Sequence, residues 1–292
     1  MLSLALPKGS LEEQTMRLFA EADLTPQRSS DRDYRVTIDD ERIGEVRILR
    51  PQEIPIYVEK GYFDLGISGW DWVRETGSDV VSVMDLAYNR YTVGRPVKVV
   101  LAVANDSAVQ RGQDIPPGSR ISTEYPHLTR QYFDSLGIPV EIYRSYGATE
   151  AKVPDIVDAL VDVTETGNTL RRMGIRIVEV LLESTTRLIA NREACADPRK
   201  QVEIEDIKIL LGGALAARGK VLLKLNVHKD ALDQVIDILP AMKSPTISQL
   251  FLGDHCAVET VVAKKDINRL IPELKARGAE DILELPISKI VD

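Results

Sequence analysis

Three threonine hydroxyls fall within six residues of one another in the stretch VDVTETGNTL, residues 161–170. Thr164, Thr166 and Thr169 surround Gly167, with Glu165 and Asn168 between them, on a segment that reads as a short strand, a polar loop and the start of a helix. Neutral donors, little side-chain bulk and successive backbone N–H groups at a helix start are what a phosphate monoester needs. Asp162 and Glu165 would repel a bare phosphate, so the ligand these residues imply also carries hydroxyls or a divalent metal; a sugar phosphate with a pyrophosphate tail meets both demands. The competing reading is an ordinary turn, since Gly and Asn are common turn formers.

Two other places carry similar chemistry. Lys8, Gly9 and Ser10 follow a short apolar strand (2–6) and precede a helix whose Ser10 and Glu13 have the spacing of a capping box. Gly69 and Asp71 follow a second apolar strand (64–68), with a helix expected from about residue 72. Ligands of open α/β sheets bind at such strand-to-helix junctions. Glu150 sits at an expected helix start, where the dipole favours an acid, or it meets a ribose hydroxyl or a metal. Asp162 lies between Val161 and Val163, and a buried carboxylate requires a partner. Trp70 and Trp72 read as packing residues. His127, His228 and His255 have no partner at ligand spacing, and neither a Gly-x4-Gly-Lys-Ser/Thr nor a Gly-x-Gly-x-x-Gly sequence is present.

The elements that must position these groups follow from the apolar pattern. Residues 28–48 read as a charged hairpin, 51–59 as a short helix and 98–104 as a central strand. Strand 120–123, helix 125–136, strand 140–143, helix 149–160 and strand 161–164 form a βαβαβ run, which implies a parallel sheet. Strands at 177–182 and 186–191 leave it, and 193–218 is helical up to Gly219, the expected C-cap. From residue 216 the order becomes βαββαβ, with strands at 221–227, 247–252, 258–264 and 282–285 and helices at 230–239 and 266–277. That is a ferredoxin-like arrangement.

The 292 residues allow two or three domains, and 44% apolar content supplies their cores. A net charge of −8 argues against nucleic acid or an anionic membrane as general partner. Cys195 and Cys256 give neither a disulfide framework nor zinc spacing and suit a reducing cytoplasm. No basic segment opens a signal peptide, and no apolar run is long enough for a membrane span.

LALPKGSL (4–11), DLGISGWD (64–71) and DALVDVTETGNTL (158–170) occur in the order and spacing found in ATP phosphoribosyltransferase, the first enzyme of histidine biosynthesis. Asn226, SPTI (244–247), LIPEL (270–274), Gly278 and PISKI (286–290) resemble the extra domain of that family's long form. The resemblance implies an α/β fold: a two-lobed, periplasmic-binding-protein-like catalytic core with a C-terminal ferredoxin-like regulatory domain. Lobe I would span 1–96 and 184–215, lobe II 97–183, and the regulatory domain 216–292. It implies transfer of the phosphoribosyl group of phosphoribosyl pyrophosphate to N1 of ATP, with Mg2+ as cofactor, in a cytoplasmic homo-oligomer (dimer or hexamer) inhibited by histidine. Thr164, Glu165, Thr166, Gly167, Asn168 and Thr169 would then hold phosphoribosyl pyrophosphate. Asp162 and Glu150 would face ribose hydroxyls or magnesium. Lys8 would complete the catalytic set, Gly9, Ser10, Gly69 and Asp71 would contact ATP, and Asn226, Thr246 and Asp281 would bind histidine. The missing nucleophilic triad is expected for this reaction, because adenine N1 is already a nucleophile and magnesium pyrophosphate a good leaving group. Only one acid closely precedes the threonine loop, unlike the adjacent pair of purine-salvage phosphoribosyltransferases. The rival readings are a solute-binding protein or amino-acid sensor of similar fold without catalysis, and a phosphoribosyltransferase with another acceptor.

Overall fold

The computed structural model describes residues 1–30, 33–86, 88, 96–240, 244–251 and 253–291. The chain forms two compact units, Met1–Lys208 and Ile209–Asp292.

The first unit opens with β1 (Leu2–Pro7), α1 (Glu12–Glu21), β2 (Arg35–Val36), β3 (Ile43–Leu49), α2 (Ile54–Glu59), β4 (Leu65–Gly69), α3 (Trp70–Thr76) and β5 (Val81–Asp85). It continues with β6 (Val97–Ala104), β7 (Arg120–Thr123), α4 (Pro126–Leu136), β8 (Glu141–Arg144), β9 (Ala159–Thr164), α5 (Asn168–Arg172), β10 (Ile175–Ser184), β11 (Thr186–Ala190) and α6 (Arg192–Ala196). These strands build two sheets, in the orders β2-β3-β1-β4-β11-β5 and β10-β6-β9-β7-β8. In the first, β1 runs parallel to β3 and β4; in the second, β7 runs parallel to β8 and β9. The central strands β1, β4 and β6 are near-continuous buried runs because helices cover their faces. Ile54 and Val58 of α2 pack with Ala5 and Ile189 on the first sheet, while Phe133 of α4 packs with Leu101, Ile121 and Val161 on the second. After β10 ends at Ser184, the chain returns through Thr185 to the first sheet as β11, so that sheet is built from two separate stretches of sequence.

Several local expectations change. No helix spans 149–160: a single 3-10 turn, Thr149–Lys152, is followed by extended Val153 (φ −96°, ψ 133°). Pro154 explains this, since proline pushes the residue before it out of the helical region and cannot donate to a helix. The capping box at Ser10 does not form. Helix α1 begins one residue later than that box requires, and the Gly9 N–H donates to the Glu12 carboxylate (3.2 Å). Helix α3 begins at Trp70, directly after Gly69. The long helix at 193–218 is broken at Asp197. Asn191 caps α6 by accepting from the N–H groups of Glu193 and Ala194, and Pro198 opens α7 (Pro198–Ala217).

The second unit contains β12 (Lys220–His228), α8 (Leu232–Ile236), β13 (Thr246–Gln249), β14 (His255–Ala263), α9 (Ile267–Ala276) and β15 (Ala279–Pro286). Its sheet order is β13-β14-β12-β15, as a ferredoxin-like fold requires. Val221, Leu223, Leu225 and Val227 alternate into the core, where Ile267, Leu270 and Leu274 of α9 meet them at helical spacing. The expected helix at 230–239 shortens to a 3-10 turn and α8, and β13 is shorter than the expected strand, whose last residue, Leu252, lies outside the described residues.

Candidate functional site

A cleft of about 360 Å³ opens in the first unit where strands of both sheets end. Ser10 follows β1, Gly69 ends β4, Glu124 and Tyr125 follow β7, and Thr164 and Glu165 close β9; Ser184 to Thr186 cross between the sheets. All four of those strands present their carboxyl ends, the ligand-binding edge of α/β sheets.

The floor is a buried polar knot. Asp71 is 5% exposed and Tyr125 is 1% exposed. The Tyr125 hydroxyl donates to Asp71 Oδ2 (2.7 Å), Ser184 Oγ donates to Asp71 Oδ1 (2.6 Å), and the Asp71 N–H donates to Ser184 Oγ (2.9 Å). Burial pushes the Asp71 carboxyl above its usual range, against the pull of the Ser184 and Tyr125 hydrogen bonds. Gly69 permits the arrangement, because a Cβ there would lie 2.2 Å from Asp71 Oδ1. Trp72 stacks on the Tyr125 ring with centroids 4.6 Å apart. Nearby, Glu75 of α3 accepts from the N–H groups of His127 (3.0 Å) and Leu128 (2.9 Å) at the head of α4. Helix α3, attached to one sheet, thus grips the helix that follows the other.

The opposite wall is acidic. Asp162 accepts from the Val163 N–H (2.7 Å). Burial pushes its carboxyl up; Thr149, Val163 and Lys152 pull it down, while Glu150 pushes up. Glu124 is likewise raised, first by burial and then by Asp162, against Lys152 and Arg144. Beyond Asp162 the threonine loop is held by its own side chains. Thr164 Oγ1 accepts from the Gly167 N–H (3.0 Å), and Thr166 Oγ1 from the Asn168 N–H (3.4 Å). Gly167 has φ +71°, a left-handed conformation that favours glycine.

The cleft therefore gathers Ser10, Gly69, Asp71, Asp162, Thr164 and Glu165. Gly167 is buried, and Thr166, Asn168 and Thr169 continue the loop as exposed residues. Gly9 precedes Ser10 at the strand end. Glu150 stands behind Asp162 on the 3-10 turn. Lys8 does not line the cleft; its ammonium lies 4.2 Å over the Tyr34 ring. In the second unit, Asn226 Nδ2 donates to Asp281 Oδ2 (2.9 Å). Thr246 stands apart from them on the edge strand β13, opposite Glu259, with β14 intervening. Sequence reasoning missed Glu124, Tyr125 and Ser184. The first two stand at a third strand-to-helix junction that lacks the glycine marking the other two.

A sequence profile described as ATP phosphoribosyltransferase matches residues 50–212, and one described as HisG, C-terminal domain, matches residues 217–289. An ATP phosphoribosyltransferase of Desulforudis audaxviator is 48% identical over 290 residues, covering 99% of each chain. One of Pelotomaculum thermopropionicum is 46% identical over 292 residues, again with 99% of each chain covered. This chain belongs to the ATP phosphoribosyltransferase family. An ATP phosphoribosyl transferase (HisG:HisZ) complex from Thermotoga maritima supports the fold: TM-score 0.60, 24% identity, with 71% of this chain and 98% of that one covered. The carboxyl-terminal match brings the ferredoxin-like unit into the same family, in agreement with the expected two-lobed α/β core and appended domain.

Proposed function

We propose that the cleft joins N1 of the ATP adenine to C1′ of phosphoribosyl pyrophosphate. The N1 lone pair forms the new bond while the C1′–oxygen bond breaks and its electron pair leaves with pyrophosphate. The observation that carries this reading is the meeting, in one cleft, of the threonine-loop strand end with the strand ends bearing Ser10 and Gly69. Two substrates approached from two walls can be held in line, which is the largest service an enzyme can give this reaction.

In this reading Thr164 to Thr169 hold the 5′-phosphate, and Asp162 faces the ribose hydroxyls with Glu150 behind it. Ser10 and Gly69 border ATP, with Gly9 and Lys8 at the edge of the same strand end. Asp71 supports that wall from below, because both its carboxylate oxygens are engaged. Among the described residues no group of three or more His, Cys, Asp or Glu side chains forms a metal cage. Magnesium needs no such cage, since one or two carboxylates together with substrate phosphates suffice; Asp162 and Glu150 are hard oxygen donors of that kind. Bound there, the ion would neutralise the charge of the departing pyrophosphate.

We read 1–96 with 184–215 as lobe I, 97–183 as lobe II and 216–292 as the regulatory domain. Histidine would bind the last, at Asn226 and Asp281, in a homo-oligomer working in the cytoplasm. None of the described helices is long and apolar enough to cross a membrane. The test is product analysis with ATP, phosphoribosyl pyrophosphate and magnesium. Phosphoribosyl-ATP and pyrophosphate in equal amounts are expected; their absence from folded protein overturns the reading.

A further inference from the structure

Lys152 closes the 3-10 turn behind the acidic wall without lining the cleft. Its Nζ donates to Ser145 Oγ (2.6 Å) and to Ser122 Oγ (3.4 Å). Ser145 Oγ lies 2.9 Å from Thr149 Oγ1 and also meets the Gly147 carbonyl oxygen (3.2 Å). The turn that carries Thr149 packs against β9, the strand of Asp162, and Thr149 pulls the Asp162 carboxyl down. Ser122, Ser145 and Thr149 are 2%, 3% and 1% exposed, so water does not compete for these groups. An ammonium can only donate and a carboxylate can only accept. Ser145 Oγ must therefore accept from Lys152, and the ammonium pins both Ser145 and Ser122 beside the turn of Thr149 and Glu150.

The same lysine answers a charge problem. Asp162, Glu124 and Glu150 crowd this wall, and Lys152 acts on both Asp162 and Glu124, with Arg144 also facing Glu124. A substrate carrying a phosphate and a pyrophosphate meets three carboxylates here.

We propose that Lys152 is a positioning residue for the sugar-phosphate substrate, anchoring the turn of Thr149 and Glu150 against β9 through Ser145 and Ser122 and offsetting the negative charge of the wall that Asp162 forms. The assignment rests on the reading that Asp162 faces the ribose of phosphoribosyl pyrophosphate. Lys152 touches no reacting atom; it acts on the wall that meets the ribose.

The test uses the full chain with Lys152→Met, Lys152→Arg and Ser145→Ala. Phosphoribosyl pyrophosphate binding is measured by calorimetry with magnesium at low and high salt, alongside KM for each substrate and kcat. Lys152→Met keeps the length of the side chain and loses its charge. It should weaken phosphoribosyl pyrophosphate binding about tenfold, the scale of one lost charge at partly buried range, and raise that KM while the ATP KM holds. The deficit should shrink at high salt, and Lys152→Arg should restore most of the affinity. Ser145→Ala, which removes the anchor of Lys152 and keeps the charge, should give a smaller loss that salt does not repair. Folded Lys152→Met with wild-type affinity overturns the proposal, and so does an equal, salt-independent loss toward both substrates. Should Lys152→Met not fold, unchanged affinity in Ser145→Ala overturns it. A wild-type chain that forms no phosphoribosyl-ATP sinks the assignment of the cleft instead, a result read before any variant is made.

Discussion

The Tyr125 hydroxyl reaches the Asp71 carboxylate at 2.7 Å, across 54 residues of sequence, with both side chains closed to solvent. Asp71 belongs to the helix that follows β4 and Tyr125 to the loop that follows β7, so this bond ties the layers of the two sheets beneath the cleft. Tyr125→Phe keeps the ring stacked on Trp72 and removes the donor from a buried carboxylate. A loss of about 1–3 kcal/mol in unfolding free energy is expected, the range for a deprived buried polar group. Denaturant unfolding of wild type and variant checks it; equal midpoints and slopes refute it.

Gly69 is bound to the same knot. A methyl group there must displace the Asp71 carboxylate, which cannot move without surrendering Ser184 or Tyr125. Gly69→Ala should therefore destabilise the first unit by roughly 1–3 kcal/mol, the usual penalty of overpacking. It should also lower kcat/KM for ATP, since Gly69 lines the cleft. A variant as stable and as active as wild type would show that Asp71 has slack which the geometry denies it.

The threonine loop makes a separate claim. Thr166 is exposed in the loop and Thr169 in the first turn of α5, both open to a phosphate. Replacing both by alanine removes two charge-assisted hydrogen bonds at roughly 1.5–3 kcal/mol each. Phosphoribosyl pyrophosphate binding should fall by about tenfold to a hundredfold or more. Calorimetric titration decides, and unchanged affinity with the fold intact would remove this loop from the phosphate site.

What could be read from the sequence was what local pattern encodes. The alternation of Val221, Leu223, Leu225 and Val227 announces β12, and the junctions at Ser10 and Gly69 announce two walls of the cleft. Local pattern failed where a neighbour or a distant partner decides. Pro154 cuts short a segment whose composition is helical. Ser10 has the right spacing to cap α1, yet Glu12 supplies the carboxylate that the Gly9 N–H uses. The burial of Asp71 depends on Tyr125 and on Ser184, 113 residues away, which no window of sequence joins. Lys152 carries no local signal, since its partners Ser122 and Ser145 lie 30 and 7 residues away.

Asp40 offers a pH test free of the cleft. Arg42 grips it from two sides, Nη2 at 2.6 Å from Oδ2 and Nε at 2.9 Å from Oδ1. The Arg42 hydrogen bond is the main cause holding the Asp40 carboxyl below its usual range, against desolvation. A carboxylate whose folded pKa is depressed stabilises the fold fully above its unfolded pKa, about 4, and loses that contribution as pH falls through the lower folded value. Asp40→Asn should cost about 1 kcal/mol near neutral pH, with the difference from wild type shrinking as pH falls below the unfolded value of about 4 and through the lower folded one. Unfolding curves at several pH values test this; a gap that persists in acid would mean the cost is packing and not charge.

In the proposed reading Asn226 and Asp281 form the histidine site. Asp281 has φ +47°, in the left-handed region, where the register of β15 against β12 shifts between Lys224 and Asn226. That displacement brings its carboxylate to the Asn226 amide, leaving an acid and an amide together at one edge of the small sheet. A carboxylate is the natural partner of an amino acid's ammonium group, and an amide can serve its carboxylate. Asn226→Ala and Asp281→Ala, each in the full chain, should raise the histidine concentration needed for half inhibition about tenfold or more while leaving kcat near wild type; the estimate follows from one charge-assisted hydrogen bond. Inhibition should not be competitive with phosphoribosyl pyrophosphate. Linkage requires the reciprocal effect, a shift in histidine affinity on adding phosphoribosyl pyrophosphate, typically about 1–3 kcal/mol. Initial-rate inhibition kinetics and calorimetry with both ligands read all three quantities. Unaltered histidine inhibition in both variants, or plain competition in the wild type, would move the regulatory site elsewhere.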